Sequence, residues 1–479
     1  MAVNHILINV APGETRVAYL DDGRLEEFHA IRAGAESVAG NIYLGRVEGV
    51  VGNLGAAFVE IGLERSGFLA LPEVRPPDSD NDNDEIGDFL NEGDAVLVQV
   101  LRDPIEDKGA KLTTRISLTG RDLIYQPGQP GVAISRRISD PGERDRLMDL
   151  VQGLAAEGDG FILRTAAAEA EPEDLKREVE RLHARWDGIE QGRGQARAPA
   201  RLYREAEPVF ALLRDHGGGG LDAITVDDAN LLSALRAFAT EEMPDIGNLL
   251  EPHDGRDDLF DAFDVEDQID EAFDPEVPLP SGGSLIISEM PALTAIDVNT
   301  GGGSGRHRVE INRDAADEIG RQIRLRNLSG LLIIDFVSMK RDEDRDSVLV
   351  RLRRALDDDP LRPHVIGFTR LGLVEMTRRR RGPSLGEVLG EAEPPIRSAH
   401  TIALEALRQV LREAAAAPAA GFVLQTAPSV VEALEDVAAP ARRDTESRLG
   451  SKIVLEPDSS CGPEEYDVRP QDKASSDDG

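Results

Sequence analysis

The chain has 479 residues, of which 54 are Lys or Arg and 90 are Asp or Glu, for a formal net charge of −36. That length exceeds a single hydrophobic core and predicts three to five domains, while the negative sum excludes a uniformly basic surface of the kind that phosphate binding draws on. The single cysteine, Cys461, excludes an intrachain disulfide and any multi-cysteine metal site within one chain.

The charge is segregated. Residues 251–276 hold twelve acids and one Arg, whereas residues 361–381 hold six Arg and one Glu, so a basic surface is compatible with an acidic protein. High net charge is also one of the levers halophiles use. No apolar run approaches the ~18 residues of a membrane span. The start, Met1-Ala-Val-Asn-His-Ile, lacks the charged and apolar regions of a signal peptide. A cytoplasmic protein without membrane contact is expected.

Residues 3–34 read as a hairpin, with strands at 5–10 and 16–20 and a turn at Asp21-Asp22-Gly23. Short strands with glycine-marked breaks at 41–51, 55–61, 67–71, 95–101 and 112–118 predict a small β-barrel. The Pro-, Asp- and Asn-rich stretch 75–92 reads as a surface loop. Residues 161–165 form a strand that ends in Arg164 and Thr165, and 172–186 an amphipathic helix with Glu173 and Asp174 in its first turn. Residues 208–278 read as an α/β piece with an acidic helix at 265–273.

The most informative stretch follows. Leu293-Thr-Ala-Ile-Asp-Val-Asn299 and Leu331-Leu-Ile-Ile-Asp-Phe336 each place an acid inside an apolar, strand-like run. Between them come the flexible Gly301-Gly-Gly-Ser-Gly305 and a helical period over 311–328, carried by Ile311, Ala315, Ile319 and Ile323. Strand, loop, helix and strand make a parallel crossover, so both acids should emerge at one sheet edge, where open α/β sheets bind ligands. Residues 399–457 alternate helix and strand around an Ala/Pro-rich joint at 414–420. From Glu456 onward eight acids and two bases predict a disordered tail containing Cys461.

Four constellations carry candidate chemistry. A carboxylate in a buried strand is costly unless compensated. Asp297, Asn299 and Asp335 offer oxygen alone, which suits Mg²⁺ or Mn²⁺ rather than Zn²⁺; the plainer alternative is one Asp capping the Gly-rich loop and the other pairing with an Arg. Phe58 and Phe68 in the barrel are stacking faces for single-stranded bases if exposed, or core if not. Arg164 with Thr165 matches a terminal phosphate, or else a surface salt bridge. Arg378-Arg-Arg-Arg381, with Arg370 nearby, is a polyanion patch beside the acids or a solvated face.

At these residues the chain resembles the bacterial ribonuclease E/G family. The likeness runs in order through 45–71, Leu112-Thr-Thr-Arg-Ile-Ser-Leu118, Ile134-Ser-Arg-Arg137 and Leu163-Arg-Thr165. It continues through Pro280-Ser-Gly-Gly, the two acid motifs, Phe368-Thr-Arg-Leu-Gly-Leu-Val-Glu-Met-Thr377 and Pro383-Ser-Leu-Gly386, and covers residues 1 to about 390. The resemblance implies a multidomain α/β protein. An RNase H-like subdomain (1–34 and 208–278) is split by an OB-fold barrel of the S-one type (35–120). A 5′-sensor subdomain (121–207), a DNase I-like catalytic subdomain (279–398), a small C-terminal α/β domain (399–457) and the acidic tail (458–479) follow.

It further implies an endoribonuclease that cuts single-stranded RNA in processing or decay and leaves 5′-phosphate ends. Asp297, Asn299 and Asp335 match its catalytic positions, with Asp297 and Asp335 on Mg²⁺. Phe58, Phe68, Arg164, Thr165 and Arg370 match RNA-binding positions, the Arg164–Thr165 pair at a 5′-monophosphate pocket. The chain departs from the family in four respects. Residues 387–397 contain no Cys, so no zinc is expected and the zinc-linked dimer is doubtful, although another homo-oligomer is allowed. Ser338 replaces an Asp, and Leu44 and Ile61 stand where relatives often carry Lys and Tyr. The rival readings are a non-catalytic RNA-binding protein that keeps the fold and, on the acidic tail alone, a structural factor.

Overall fold

The chain begins with three antiparallel strands, His5–Ala11 (β1), Glu14–Asp21 (β2) and Arg24–Arg32 (β3). The expected Asp21-Asp22-Gly23 turn is present, with Asp22 and Gly23 at positive φ (48° and 82°), the geometry of a two-residue hairpin turn. It joins β2 to β3, however, so the segment is a three-stranded meander rather than one hairpin. The third strand was hidden because Glu26 and Glu27 occupy buried positions in it. Glu26 is accommodated by Arg324 at 2.9 Å.

The computed structural model describes residues 3–32, 37–75, 84–104, 108–168, 170–216, 220–301, 308–357, 359–380, 382–390, 397–416 and 421–471. The chain forms two units: Met1–Gly34 with Gly220–Ser233 and Leu249–Gly479, and Ala35–Gly219 with Ala234–Asn248.

In the second unit, Ile42–Val51 (β4), Ala56–Glu60 (β5), Gly67–Ala70 (β6), Ala95–Arg102 (β7) and Lys111–Thr113 (β8) pair in the order β4-β5-β6-β8-β7, and β7 returns to β4. This is the closed five-stranded barrel expected from an OB-fold. Val47, Ala57, Val59, Leu69, Val98 and Leu112 fill it. The expected strand 112–118 splits: Leu118–Thr119 (β9) leaves the barrel and joins Leu123–Pro127 (β10), Gly131–Ile134 (β11) and Asp159–Leu163 (β12) in a separate sheet. Residues 76–83 of the expected 75–92 loop lie outside the described residues; Ile86–Asp88 forms a 3₁₀ turn with buried Ile86. The helix Pro172–Gln195 runs beyond the expected stop at 186. Gly188, Gly192 and Gly194 argue for that stop, but Ile189 is buried in the core of this unit and holds the last turns. Ala200–Tyr203 (β13) then adds to β4.

In the first unit, Ala223–Val226 (β14) lies parallel to β1, and Leu250–Pro252 (β15) lies parallel to β14. The acidic helix Val265–Phe273 is found with the expected bounds. Six strands follow: Glu276–Pro278 (β16), Ser284–Glu289 (β17), Thr294–Asn299 (β18), Gly330–Asp335 (β19), His364–Phe368 (β20) and Val374–Arg378 (β21). They are ordered β16-β17-β18-β19-β21-β20. β18 and β19 are parallel and joined by the helix Arg308–Leu325; beyond Gly301, the Gly-rich stretch lies outside the described residues. One sheet face packs Leu285, Ile287, Ile296, Val298, Leu332, Ile334 and Met376 against Ile311, Ile319, Ile323, Val348 and Leu352 from this helix and from Asp342–Leu356.

The C-terminal part carries Phe422–Thr426 (β22), Ile453–Pro457 (β23) and Tyr466–Pro470 (β24), with β22 central. Residues 417–420 of the expected joint are outside the described residues. The expectation of a disordered tail is corrected for 458–471. β24 pairs with β22, and Tyr466, Val468 and Cys461 pack against the C-terminal core. The alternation Tyr-Asp-Val-Arg has the period of a strand with one buried face, which the acidic composition around it obscured.

A buried ion-pair network ties this part to the first sheet. Arg408, on the helix Ala399–Ala416, donates to Glu14 at 2.8 Å, and Arg32 reaches the same carboxylate at 3.2 Å. Burial alone would raise the Glu14 pKa, but Arg408, Arg16 and Arg32 hold it below the ordinary value. Removing one partner of a buried pair strands the other charge. Arg408→Ala should therefore cost about 3–5 kcal/mol, read in denaturant melts, and Arg408→Met combined with Glu14→Leu and Arg32→Met should recover most of that loss.

Candidate functional site

Asp297 and Asp335 are register partners on the adjacent parallel strands β18 and β19. Neighbouring strands lie ~4.8 Å apart, and side chains alternate between faces. Ile296 and Ile334 therefore enter the core together, while Asp297 and Asp335 stand side by side on the open face. The two acids were expected to be buried; both are exposed, because they occupy the outward phase of strands whose inward phase is apolar. Among the described residues neither carboxylate accepts a side-chain hydrogen bond or pairs with a cation; most of the Gly-rich loop of the capping alternative, residues 302–305, lies outside them. Ile286 flanks Asp297 on β17, and Asn299, half-buried, sits opposite Ser284.

Two carboxylates and an amide oxygen, without His or Cys, form a donor set that fits a hard divalent cation such as Mg²⁺. A second acidic group, Asp258, Asp261 and Glu266, has ligand atoms within 4.8 Å of one another. Its charge is already answered: Asp261 pairs with Arg412 and Glu266 with Arg16, both at 2.8 Å, and Asp258 caps Phe260.

Phe58 and Phe68 face each other across β5 and β6, edge to face, with ring centroids 6.0 Å apart. Phe58 is 38% exposed and Phe68 half-buried, so neither is core. Lys111, which the sequence reading missed, is the register partner of Phe68 on β8 and is half-exposed. Its only signal was a lysine opening a short strand. Leu44 and Ile61 are both buried, Ile61 in the core of the barrel. Arg370 is exposed in the turn between β20 and β21, closed by Gly372 N–H donating to the Thr369 carbonyl at 3.0 Å.

The basic run is divided: Arg379 and Arg380 are exposed, while Arg378 turns inward. Arg378 is buried, donating to Asp359 at 2.7 Å and to the Leu328 carbonyl at 2.9 Å, and Arg380 pairs with Glu387. Arg381 lies outside the described residues. Arg164 is likewise engaged: its guanidinium donates to the Gly120 carbonyl at 2.7 Å and to Asp215 at 2.9 Å, as the salt-bridge alternative anticipated. Thr165 is exposed, and its hydroxyl lies 3.0 Å from that of Ser135. A cavity of about 520 Å³ lined by Arg185, Tyr203, Phe210 and Phe238 belongs to the unit that does not carry the acid pair.

A model of the "Ribonuclease E/G family" matches residues 117–381. The chain is 36% identical over 482 residues to ribonuclease G of Escherichia coli strain K12, covering 97% of this chain and 99% of that protein. It is 35% identical to ribonuclease G of Haemophilus influenzae, with 97% and 98% covered. It is also 37% identical over 398 residues to ribonuclease E of Haemophilus influenzae, covering 80% of this chain and 42% of that longer protein.

Beneath Arg164 lies a buried acid. Glu178 accepts backbone N–H bonds from Asp122 at 3.0 Å and Leu123 at 3.2 Å, fixing the turn that offers the Gly120 carbonyl to Arg164. Burial and the nearby Asp122 carboxylate raise Glu178 to about 7. Because the folded protein then holds a proton more tightly than the unfolded chain, its stability contribution is complete below the ordinary carboxylate range. It is lost as pH rises through about 7. Between pH 5 and 8 the wild type should lose on the order of 2 kcal/mol relative to Glu178→Gln. Parallel pH profiles of the two proteins would contradict this.

Proposed function

The chain belongs to the ribonuclease E/G family and is an endoribonuclease of RNA processing, and from that premise we propose that it cuts single-stranded RNA at the Asp297–Asp335 pair, uses Mg²⁺ and leaves 5′-phosphate ends. The observation that carries this reading is the in-register placement of two unpaired carboxylates on the open face of a sheet whose other face is packed core. Asp297 and Asp335 would hold the ion, which supplies positive charge to the scissile phosphate and to the leaving oxygen. Asn299 orients groups at the end of β18 through its amide. Mn²⁺ meets the same donor requirements.

The rings of the exposed Phe58 and the half-buried Phe68 stack on bases, which requires faces that a duplex keeps hidden, and this selects single strands. Lys111 places a cation beside them, and Arg370 contributes another next to the end of β19. Ser135, Arg164 and Thr165 would receive a 5′-monophosphate, with Asp215 giving up its share of the Arg164 fork. In this reading β1–β3 with β14 and β15 form the RNase H-like subdomain, and the barrel is the OB-fold of the S-one type. The β9–β12 sheet is the 5′-sensor, and β16–β21 are the DNase I-like catalytic part. Assembly would not use a zinc link, since residues 387–397 offer no thiolate. No helix among the described residues is long and apolar enough to cross a membrane, and a cytoplasmic site of action is the natural one for an RNA-processing enzyme.

Asp297→Asn and Asp335→Asn should each lower the cleavage rate of a single-stranded oligoribonucleotide in Mg²⁺ by about 10³-fold or more, the order of several kcal/mol of charge stabilisation. RNA binding and thermal stability should stay close to wild type. Undiminished Mg²⁺-dependent cutting by the double variant would remove the acid pair from the mechanism. Phe58→Ala with Phe68→Ala should raise KM by about tenfold or more, since each stacked base is worth ~1–3 kcal/mol, with a smaller change in kcat.

A further inference from the structure

The acids emerge at the carboxyl edge of β18 and β19, and the connections leaving that edge carry cations that the reading above leaves unused. Arg308 is the first residue of the helix that follows β18, and Lys340 and Arg341 precede the helix that follows β19. Both helices run back along the sheet, so all three residues sit at the edge where Asp297 and Asp335 lie. Arg370 occupies the turn just beyond the Ile334–Val374 pair, at the same edge.

All four are exposed, and among the described residues none of their side chains hydrogen-bonds or pairs with an acid. Other arginines on these two helices are engaged: the exposed Arg351 with Asp317 at 2.6 Å and Arg313 with the Ser347 hydroxyl at 3.2 Å, and the half-buried Arg321 with Glu318 at 2.7 Å. The acids following Arg341 are accounted for as well. Asp342, Glu343 and Asp344 fill the first turn of their helix, where they answer its dipole, and Asp342 lies 3.7 Å from Arg345.

We propose that Arg308, Lys340 and Arg341 are positioning residues that grip the phosphodiester backbone on either side of the cut. They form, with Arg370, a cationic lip around an acid pair that would otherwise repel a polyanion. The proposal rests on the acid pair being the reaction centre. Its physical logic is local: two carboxylates and a net charge of −36 oppose RNA at a distance, and three phosphate contacts release counterions at the one edge where the strand must lie.

The fold supplies a control. Arg354, Arg362 and Arg379 are equally exposed and without described partners, but they lie at the opposite edge of the same sheet, at the end of the 342–356 helix, before β20 and after β21. The test uses the full chain carrying Asp297→Asn for binding, and the otherwise wild-type chain for turnover, on a single-stranded oligoribonucleotide over a range of salt concentrations. The triple change Arg308→Ala, Lys340→Ala, Arg341→Ala should reduce the slope of log affinity against log salt by about 2, at ~0.7 per lost single-strand phosphate contact. It should raise KM at least several-fold with little change in kcat. Arg308→Lys with Arg341→Lys, Lys340 retained, should keep the wild-type slope.

The control triple, Arg354→Ala, Arg362→Ala, Arg379→Ala, should leave both quantities unchanged. An unaltered slope in the first triple, or an equal loss in the control, overturns the lip. Retained cleavage by Asp297→Asn would instead refute the acid-pair reading, a separate outcome because the salt slope is measured by binding alone.

Discussion

Side-chain parity in two neighbouring parallel strands governs the rest of this molecule. In β18 and β19 the inward phase is Ile296, Val298, Leu332 and Ile334, and the outward phase delivers Asp297 and Asp335 together. A slip of one residue in either strand would bury a carboxylate and expose an isoleucine. Burial of one such side chain is worth ~1.5–3 kcal/mol and burial of a bare carboxylate costs more. The hydrophobic core therefore sets the spacing of the acids, and the site inherits its geometry from packing on the far side of the sheet. The helix Arg308–Leu325 completes the constraint by filling that far side with Ile311, Ala315, Ile319 and Ile323.

Electrostatics follows a second pattern. Arginines that touch the core are spent inside the fold: Arg408 on Glu14, Arg324 on Glu26, Arg378 on Asp359. Such pairs stabilise little in net terms, but they are costly to break singly, and they fix which elements meet. With the buried cations committed in this way, the exposed and unpaired ones at the carboxyl edge of β18 and β19 acquire meaning from where they sit relative to the acids.

Much of this was legible in the sequence, and the failures share a cause. The 265–273 helix, the barrel strands and the crossover between the acids follow from local period and turn chemistry, which a linear string records. Burial of the two acids was misjudged because an apolar run does not say which phase faces inward. The sequence leaves both a phosphate and a salt-bridge reading open for Arg164, and both a phosphate and a solvated reading for the 378–381 run; Asp215 and Asp359 engage Arg164 and Arg378 across 51 and 19 residues. Partners at such separations are set by tertiary structure. The strand at 466–470 was lost beneath the acidity of its surroundings, although its alternation was intact. Lys111 and the cations at the sheet edge carried no motif, and only the register and the direction of the crossovers distinguish them.

The pairing of β1 with β14 has a consequence for biosynthesis. His5 meets Ala223, so the first strand cannot find its parallel neighbour until the intervening polypeptide has been translated, roughly 10–40 s at ~5–20 residues per second. During that interval β2 and β3 can zip onto one side of β1, while its other edge remains an open template for stray strands. Nascent chains stalled before residue 223 should accordingly be the form most in need of a chaperone.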